Sequence, residues 1–205
     1  MVDIRGLNKV TVPDSYPMPL QSDIAAAVAG CKYISVNDAT SFFHQMRVKF
    51  NDRSKLCVVS YRGREQYNVA LMGYANSLAY AQRQSDTILQ ESGCTNFTKA
   101  YMDDFITGSQ TLEQHIEHLR ATFKALNDHD ITLSGKKSFL GFPSIKILGQ
   151  LVDALGLSTA EDKIAAIRAI KFPRNLKDLE TYLGMTGYHR HFIAYYAQLA
   201  ETLQK

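Results

Sequence analysis

The segment Lys99–Thr107, which reads KAYMDDFIT, carries two adjacent acids, Asp103 and Asp104, between runs of apolar and β-prone residues. This pattern predicts a β-hairpin with the acids at its tip. Neighbouring side chains on a strand point to opposite faces, so the two carboxylates cannot aim alike unless the turn redirects one of them. Asp is also common in tight turns because it hydrogen-bonds its own backbone, which accounts for most Asp-Asp pairs taken alone. Such a turn has no need for Tyr101 and Met102 just before it, and this favours a functional site.

A third acid, Asp38, ends the strand-like run Lys32–Asp38. It precedes Asp103 by enough residues for intervening structure to bring the two strands side by side. Carboxylates on neighbouring strands repel each other unless cations lie between them. Two divalent ions about 4 Å apart are the usual arrangement for in-line phosphoryl transfer. Mg²⁺ suits such a site because it takes few protein carboxylates and completes its shell with water and phosphate.

These acids lie in motifs that resemble those of reverse transcriptases. Tyr101–Asp104 resembles the YxDD box, and Val36–Gln45 resembles the segment that carries the family's first catalytic aspartate. The resemblance covers nearly the whole chain in the family's order and is closest to the polymerases of gypsy-type LTR retrotransposons. It implies an α+β fold: a polymerase palm whose antiparallel sheet is backed by helices, with partial fingers and a small helical thumb. Residues 1–150 would form the palm and partial fingers, and residues 151–205 the thumb.

The resemblance also implies roles for individual residues. The catalytic and metal-binding acids would be Asp38, Asp103 and Asp104, which would hold two Mg²⁺ ions, with Mn²⁺ as an alternative. The nucleotide would contact Phe43, Met72, Gly73, Gln82 and Lys137. The primer and template would contact Arg5, Tyr101, Met102, Leu148 and Gly149.

Several of these residues have a second interpretation. Phe43 occupies the position of an aromatic side chain that excludes a 2′-hydroxyl by steric clash, but a Phe-Phe pair also commonly packs in a core. Arg5 could pack near the template or form a surface salt bridge. Lys137 could lie near the nucleotide phosphates or the primer, or be a solvated loop lysine. The loop Leu71–Gln82 departs from the family pattern, since Leu and Met replace its Pro-Phe pair.

Bulk properties narrow the class of protein. The net charge of the 205 residues is +3, which permits a nucleic-acid partner without requiring one. The three cysteines are widely spaced and form no CxxC pair, which argues against a disulfide framework or zinc site and for a reducing compartment. No apolar run is long enough to span a bilayer, and the N-terminus lacks the features of a signal peptide. We therefore expect an intracellular protein, cytoplasmic or nuclear, without a membrane partner.

Local patterns predict the other elements. The early prolines predict extended structure over residues 1–20, Ser22 would cap a helix over residues 24–29, and strands would cover residues 56–60 and 66–70. Helical spacing predicts a helix that buries Leu78, Ala81, Ser85 and Ile88. A second helix, capped by Thr111 with Gln114, would bury Leu112, Ile116, Leu119, Phe123 and Leu126.

The second half of the chain adds three expectations. His115 and His118 could form a metal pair, but no third ligand is near in sequence, so we expect solvated surface histidines. A hairpin over residues 145–152 resembles the family's primer grip. Two helices would close the chain, one over residues 160–169 that Phe172-Pro173 breaks, and one capped by Asn175 that buries Leu176, Leu179 and Leu183. Basic residues of this part could be solvated surface charges or, on a thumb, could grip phosphates: Lys163, Arg168, Lys171, Arg174, Lys177 and Arg190.

The function expected from these features is RNA-directed DNA polymerase, a nucleotidyltransferase that extends a primer with deoxynucleoside triphosphates on an RNA or DNA template. The alternative is a catalytically weak or inactive nucleic-acid-binding or scaffold module derived from a polymerase. The altered Leu71–Gln82 loop favours it, as does the lack of the family's basic fingers residues and RNase H domain within these residues. A partner chain or a second copy could supply those parts. A third possibility is an unrelated α+β protein with a fortuitous acidic turn.

Overall fold

The computed structural model describes residues 3–159, 161–170 and 173–204. Six residues within the ranges predicted above lie outside these residues, as does the side chain of Lys163: Met1, Val2, Ala160, Lys171, Phe172 and Lys205. The strands are β1 (Tyr33–Asp38), β2 (Cys57–Ser60), β3 (Gly63–Gln66), β4 (Thr98–Tyr101), β5 (Asp104–Ser109), β6 (Phe139–Phe142), β7 (Ser144–Ile147), β8 (Gln150–Asp153) and β9 (Gly156–Thr159). The helices are α1 (Arg5–Val10), α2 (Gln21–Val28), α3 (Phe42–Gln45), α4 (Ser77–Glu91), α5 (Leu112–Asp128), α6 (Glu161–Arg168), α7 (Leu176–Tyr188) and α8 (Tyr196–Gln204).

A four-stranded antiparallel sheet in the order β4-β5-β1-β6 forms the centre of the molecule. Strands β4 and β5 are the two arms of the predicted hairpin, and β1 is the strand that ends in Asp38. The hairpin and the β1 strand are therefore confirmed, and they are direct neighbours in the sheet.

Other elements cover both faces of this sheet. Successive residues of β5 point to opposite sides, so they pack in different layers. Phe105 packs with α4 and α5, in a core that includes Ile88 and Leu126. Ile106 packs with Ile34 and with α2 and the β7–β8 hairpin on the other face. The helices and the second sheet thus hold β1 and β5 rigidly from both sides.

Helix α5 begins at the predicted Thr111 cap, whose side chain accepts a hydrogen bond from the Gln114 backbone N–H. Only part of its predicted buried face is confirmed, since Leu126 is buried and Leu119 is half-buried. Leu112, Ile116 and Phe123 are exposed. The buried positions are His115, Thr122, Ala125 and Leu126. Polar strand residues lie opposite this helix, so polar helix residues face them and the larger apolar ones turn outward.

The two histidines of α5 are therefore not solvated surface residues. His115 is 1% exposed, and its ring nitrogens make hydrogen bonds of 2.7 Å and 2.9 Å with Ser35 Oγ on β1 and Ser109 Oγ on β5. His118 contacts the same Ser109 hydroxyl at 2.8 Å and stacks on Phe97. Burial, and secondarily the charge of His118, lowers the pKa of His115.

Other local predictions need smaller corrections. Residues 5–10 were predicted to be extended but form α1. The prolines begin only at position 13 and therefore do not prevent a helix there. Helix α2 begins at Gln21 without a side-chain cap from Ser22. The strand predicted over residues 66–70 is instead β3 (Gly63–Gln66), which begins earlier. On α4, Ala81, Ser85 and Ile88 are buried as predicted, whereas Leu78 is exposed.

The C-terminal part has three helices in the described residues instead of the two predicted. Asn175 caps α7 as expected, by accepting a hydrogen bond from the Asp178 N–H. Leu176 is exposed, while Leu179 and Leu183 are half-buried. Helix α8 packs against α7 through the Tyr196 hydroxyl, which contacts Thr186.

The second sheet, β7-β8-β9, lies across the predicted domain boundary at residue 150. That boundary stays a prediction. None of the helices described is long and apolar enough to cross a bilayer.

Candidate active site

The three predicted acids meet at one end of the central sheet. The antiparallel register places Asp38 of β1 directly opposite Asp104 of β5, so both side chains lie on the same face of the sheet. Asp103 occupies the turn between β4 and β5, and its carbonyl accepts a hydrogen bond from the Ala39 N–H at 2.8 Å. The turn is thereby fastened to the end of β1.

The electrostatics of the cluster reflect this proximity. The pKa of Asp104 is raised from 3.8 to about 6, first by burial and then by the charges of Asp103 and Asp38, against a lowering effect of Lys137. Like charges held together in a partly buried place favour the protonated form of one of them. A bound cation would remove that penalty.

The side chain of Lys137 faces these acids. Its Nζ lies 3.3 Å from Asp38 Oδ2; the lysine side chain is 69% exposed and that of Asp38 only 15%. The loop that carries Lys137 is held beside the site, because the Ser134 N–H donates to the Asp38 carbonyl at 2.8 Å. Lys137 is thus a neighbour of the acid cluster, although it was predicted among the nucleotide-binding residues.

The donor set fits a cation that needs few protein ligands. Among the described residues, no three His, Cys, Asp or Glu side chains are arranged as a ready metal cage. Mg²⁺ is commonly bound by one or two carboxylates together with water and substrate phosphates, and Asp38, Asp103 and Asp104 offer that kind of partial site.

Of the other predicted nucleotide contacts, Phe43 and Met72 are accessible. Phe43 in α3 is half-buried at the edge of the core, while its neighbour Phe42 is fully buried and packs edge-on against Phe105. Phe42 is therefore the core aromatic of the pair. Met72 is 59% exposed.

Gly73 and Gln82 are placed differently from each other. Gly73 has a φ of 90°, which favours glycine, and its carbonyl accepts a hydrogen bond from Asn8 Nδ2 at 2.9 Å. Asn8 thereby ties the loop to α1. Gln82 is fully buried beneath the acidic hairpin, where its amide hydrogen-bonds the backbone of Ala100 and Met102.

The predicted primer and template contacts are spread over three places. Leu148 and Gly149, with φ of 47° and 84°, form the tip of the β7–β8 hairpin. Tyr101 packs beside α2, where its hydroxyl accepts a hydrogen bond from Gln21 Nε2 at 3.2 Å. Arg5 is exposed and forms a salt bridge of 2.7 Å with Asp3, the surface interpretation given above.

Met102, the last of these predicted contacts, begins the hairpin turn itself. Its φ is 54°, and its backbone N–H and carbonyl are hydrogen-bonded to Gln82 and Ser85 of α4.

Sequence patterns did not reveal the polar residues that support the site from below. Ser85 of α4 donates a hydrogen bond to the Met102 carbonyl of the hairpin. Asp86 of α4 accepts hydrogen bonds from Gln82 and from the Tyr16 hydroxyl. The sequence did contain one signal for this role. Ser85 is a polar residue on the predicted buried face of a helix, between Ala81 and Ile88. Asn37 is a further case: it is 1% exposed, and its amide has no hydrogen-bond partner among the described residues.

Comparisons with known proteins agree with this geometry. Residues 1–152 match the family "Reverse transcriptase (RNA-dependent DNA polymerase)". The Pol polyprotein from transposon opus of Drosophila melanogaster is 33% identical over 99% of this chain and 20% of its own length. The Pol polyprotein from transposon gypsy of the same organism is 29% identical, with the same coverage. This chain spans about a fifth of the length of these relatives.

Solved structures share the fold. The foamy viral protease-reverse transcriptase in complex with dsDNA has a TM-score of 0.87 and 22% identity, and the match covers 100% of this chain and 42% of that one. The same protein in complex with an RNA/DNA hybrid has a TM-score of 0.82 and 22% identity, over 100% of this chain and 27% of that one.

The fold and the acid cluster define a polymerase palm, and the predicted α+β class is confirmed. The chain belongs to the reverse transcriptase family, and the predicted relation to gypsy-type retrotransposons is confirmed. Divalent metal ions are used generally in this family.

Proposed function

We propose that this chain is the polymerase part of an RNA-directed DNA polymerase that adds deoxynucleotides to a primer 3′-hydroxyl on an RNA or DNA template. The observation that carries the proposal is the cross-strand pairing of Asp38 with Asp104, with Asp103 in the adjoining turn. In the reaction, the primer oxygen bonds to the α-phosphorus of the nucleotide, and pyrophosphate leaves.

The acids of the chain would hold the cofactor. Asp38 and Asp103, assisted by Asp104, would bind two Mg²⁺ ions, or Mn²⁺ in their place. When bound, such ions stabilise the attacking and leaving oxygens of an in-line displacement. The raised pKa of Asp104 supports this role, since repulsion between neighbouring carboxylates favours the binding of a cation among them.

The surrounding residues would position the substrates. Phe43 at the edge of the core would face the sugar and reject a 2′-hydroxyl, and the exposed Met72 and Gly73 would border the nucleotide. Lys137, already beside Asp38, would balance the phosphate charge once a cation takes over the carboxylate. Gln82, which is buried beneath the hairpin, would affect the site through its hydrogen bonds to the hairpin backbone.

The nucleic acid would follow the surface beyond the acids. Tyr101 and Met102 flank the acidic turn, and Leu148 and Gly149 at the β7–β8 tip would seat the primer. The described basic side chains Arg168, Arg174, Lys177 and Arg190 are exposed, and contacts of this kind fix the register of a duplex through its phosphates. The structural neighbours in complex with dsDNA and an RNA/DNA hybrid support a duplex as the bound partner.

Primer extension tests the proposal. The 205-residue chain, a labelled primer on an RNA template, deoxynucleotides and Mg²⁺ would give extension products. Because metal-bound carboxylates contribute several kcal/mol to such reactions, Asp103→Asn should lower the rate at least about a hundredfold. The matched control is Glu117→Gln, the same type of change at an exposed position of α5. Equal extension by wild type and Asp103→Asn would refute the proposal.

One observation favours the second candidate, a binding module with little catalysis. The Asp38 carboxylate pairs with Lys137, so a metal ion must either displace the Lys137 ammonium group or share the carboxylate with it. In that case, the chain would retain a template–primer duplex in a filter-binding assay and extend no primer with either Mg²⁺ or Mn²⁺.

A further inference from the structure

The turn that carries Asp103 contains a residue in an unusual backbone conformation. Met102 has a φ of 54°, in the left-handed region that side-chain-bearing residues avoid. Such a conformation persists only where the surroundings hold it in place. Because Met102 directly precedes Asp103, its conformation sets where the Asp103 carboxylate points.

Helix α4 holds both backbone polar groups of Met102. The Met102 N–H donates to Gln82 Oε1 at 2.8 Å, and the Met102 carbonyl accepts from Ser85 Oγ at 3.0 Å. Gln82 and Ser85 are one helical turn apart on the same face, and both are fully buried. Asp103 is fastened separately, through its carbonyl, to Ala39.

The Gln82 amide is itself held in one orientation. Its Nε2 donates to the Ala100 carbonyl at 2.9 Å and to Asp86 Oδ1 at 3.0 Å. The other oxygen of Asp86 accepts from the Tyr16 hydroxyl at 2.7 Å. Since two acceptors face the nitrogen, the oxygen of the amide must face the Met102 N–H.

Tyr16 lies in the segment before α2, and Arg83 of α4 holds this segment in place. Arg83 donates two hydrogen bonds of 2.7 Å to the Asp14 carboxylate. The guanidinium lies 4.9 Å from the centre of the Tyr16 ring. A continuous set of contacts therefore runs from residues 14–16 through α4 to the acidic turn.

We propose that Gln82 and Ser85 are positioning residues that hold the backbone on both sides of Met102 and so aim the Asp103 carboxylate. Asp86 and Tyr16 keep the Gln82 amide oriented for this task. These residues touch no reacting atom and act through the turn. The consequence for metal binding rests on the proposed function, whereas the hold on Met102 does not.

Two measurements on the 205-residue chain test the proposal. Amide hydrogen exchange by NMR reports the Met102 N–H directly, with Ile106 in β5 as the internal reference. Titration with Mn²⁺, followed by electron paramagnetic resonance, reports the acid cluster. The variants are Gln82→Met, which keeps the length of the side chain and removes its amide, and Gln90→Met, the same change at an exposed position of α4.

In Gln82→Met, Met102 exchange should rise about tenfold relative to Ile106, and Mn²⁺ affinity should fall about tenfold, as is usual when a supporting contact of a metal site is removed. Gln90→Met should stay within about twofold of wild type in both. Should Gln82→Met not fold, Ser85→Ala removes the hydroxyl donor to the Met102 carbonyl and should change both readouts in the same direction by about threefold.

Unchanged Met102 exchange and unchanged Mn²⁺ affinity in these variants would overturn the inference. Faster exchange at every amide, in step with Met102, would also overturn it, because that result indicates a loss of global stability. Mn²⁺ binding that is equal in wild type and Asp103→Asn would instead refute the proposed metal site, and Met102 exchange would still decide whether α4 holds the turn.

Discussion

Replacing Asp104 with Asn should stabilise the metal-free protein at neutral and alkaline pH. The native pKa of Asp104 is about 6, raised from 3.8 by burial and by Asp103 and Asp38. Since one pKa unit corresponds to about 1.4 kcal/mol, ionised Asp104 costs the folded state at most about 3 kcal/mol, and solvent screening of this partly exposed carboxylate reduces that cost. Asn keeps the shape of the side chain and carries no charge to bury.

The pH dependence gives this prediction its sign. Between pH 4 and 6 the folded state binds more protons at Asp104 than the unfolded state, so the free energy of unfolding falls as pH rises through this window. The stability difference between Asp104→Asn and wild type should therefore be close to zero near pH 3.5 and reach about 3 kcal/mol, at most, by pH 7.5.

Urea denaturation at several pH values, in buffer with a chelator, measures the difference. Glu117→Gln serves as the control, because the same carboxyl-to-amide change at an exposed site should give a small and constant difference. A variant that is no more stable than wild type at pH 7.5, or a difference that does not change with pH, would contradict the reasoning. Addition of Mg²⁺ should narrow the gap, because the ion favours the wild-type cluster.

Three further predictions follow from single residues. Phe43→Val should raise the ratio of ribonucleotide to deoxynucleotide incorporation about tenfold or more in primer extension, since it removes the side chain proposed to exclude the 2′-hydroxyl; an unchanged ratio would argue that Phe43 only packs. Burial lowers the pKa of His115, so the unfolded chain takes up a proton between pH 7.5 and 5.5 that the folded state does not bind. The free energy of unfolding of the wild type should therefore fall more steeply over this range than that of His115→Gln. Equal pH dependence of the two free energies, measured in urea, would count against this prediction. Gly108→Ala should cost about 1–3 kcal/mol, because a Cβ there would lie 2.8 Å from Cys31 Sγ and 3.1 Å from Val28; a wild-type midpoint in urea would be inconsistent with that contact.

The acids could be located from the sequence because each lies in a local strand or turn pattern, and because the resemblance to a known family relates the two motifs. The turn at Asp103 and the strand ending at Asp38 each follow from a few residues. Their pairing in register could be expected once both were assigned to one sheet, since antiparallel neighbours place their ends together.

The orientation of α5 could not be predicted in the same way. Its apolar spacing favours a face with Leu112, Ile116 and Phe123, all of which are exposed. The helix instead turns His115 toward Ser35 and Ser109, because buried strand hydroxyls need hydrogen-bond partners. Hydrophobic periodicity carries no information about polar groups on the opposing surface.

The supporting contacts beneath the site were also outside the reach of sequence patterns. Gln82 was predicted as a nucleotide contact from its place in a motif, but it is fully buried below the hairpin. Tyr16 and Asp86 lie 70 residues apart in the chain. Only the packing of the N-terminal segment against α4 brings them together.

Anomalous X-ray diffraction from crystals soaked in Mn²⁺ with a template–primer duplex and a non-hydrolysable deoxynucleotide would show whether Asp38 and Asp103 share a metal ion. We expect Mn²⁺ peaks where β1 ends and β5 begins, with at least one ion in contact with both Asp38 and Asp103. Ions bound elsewhere, or Asp38 still paired with Lys137 while no ion touches Asp103, would contradict it.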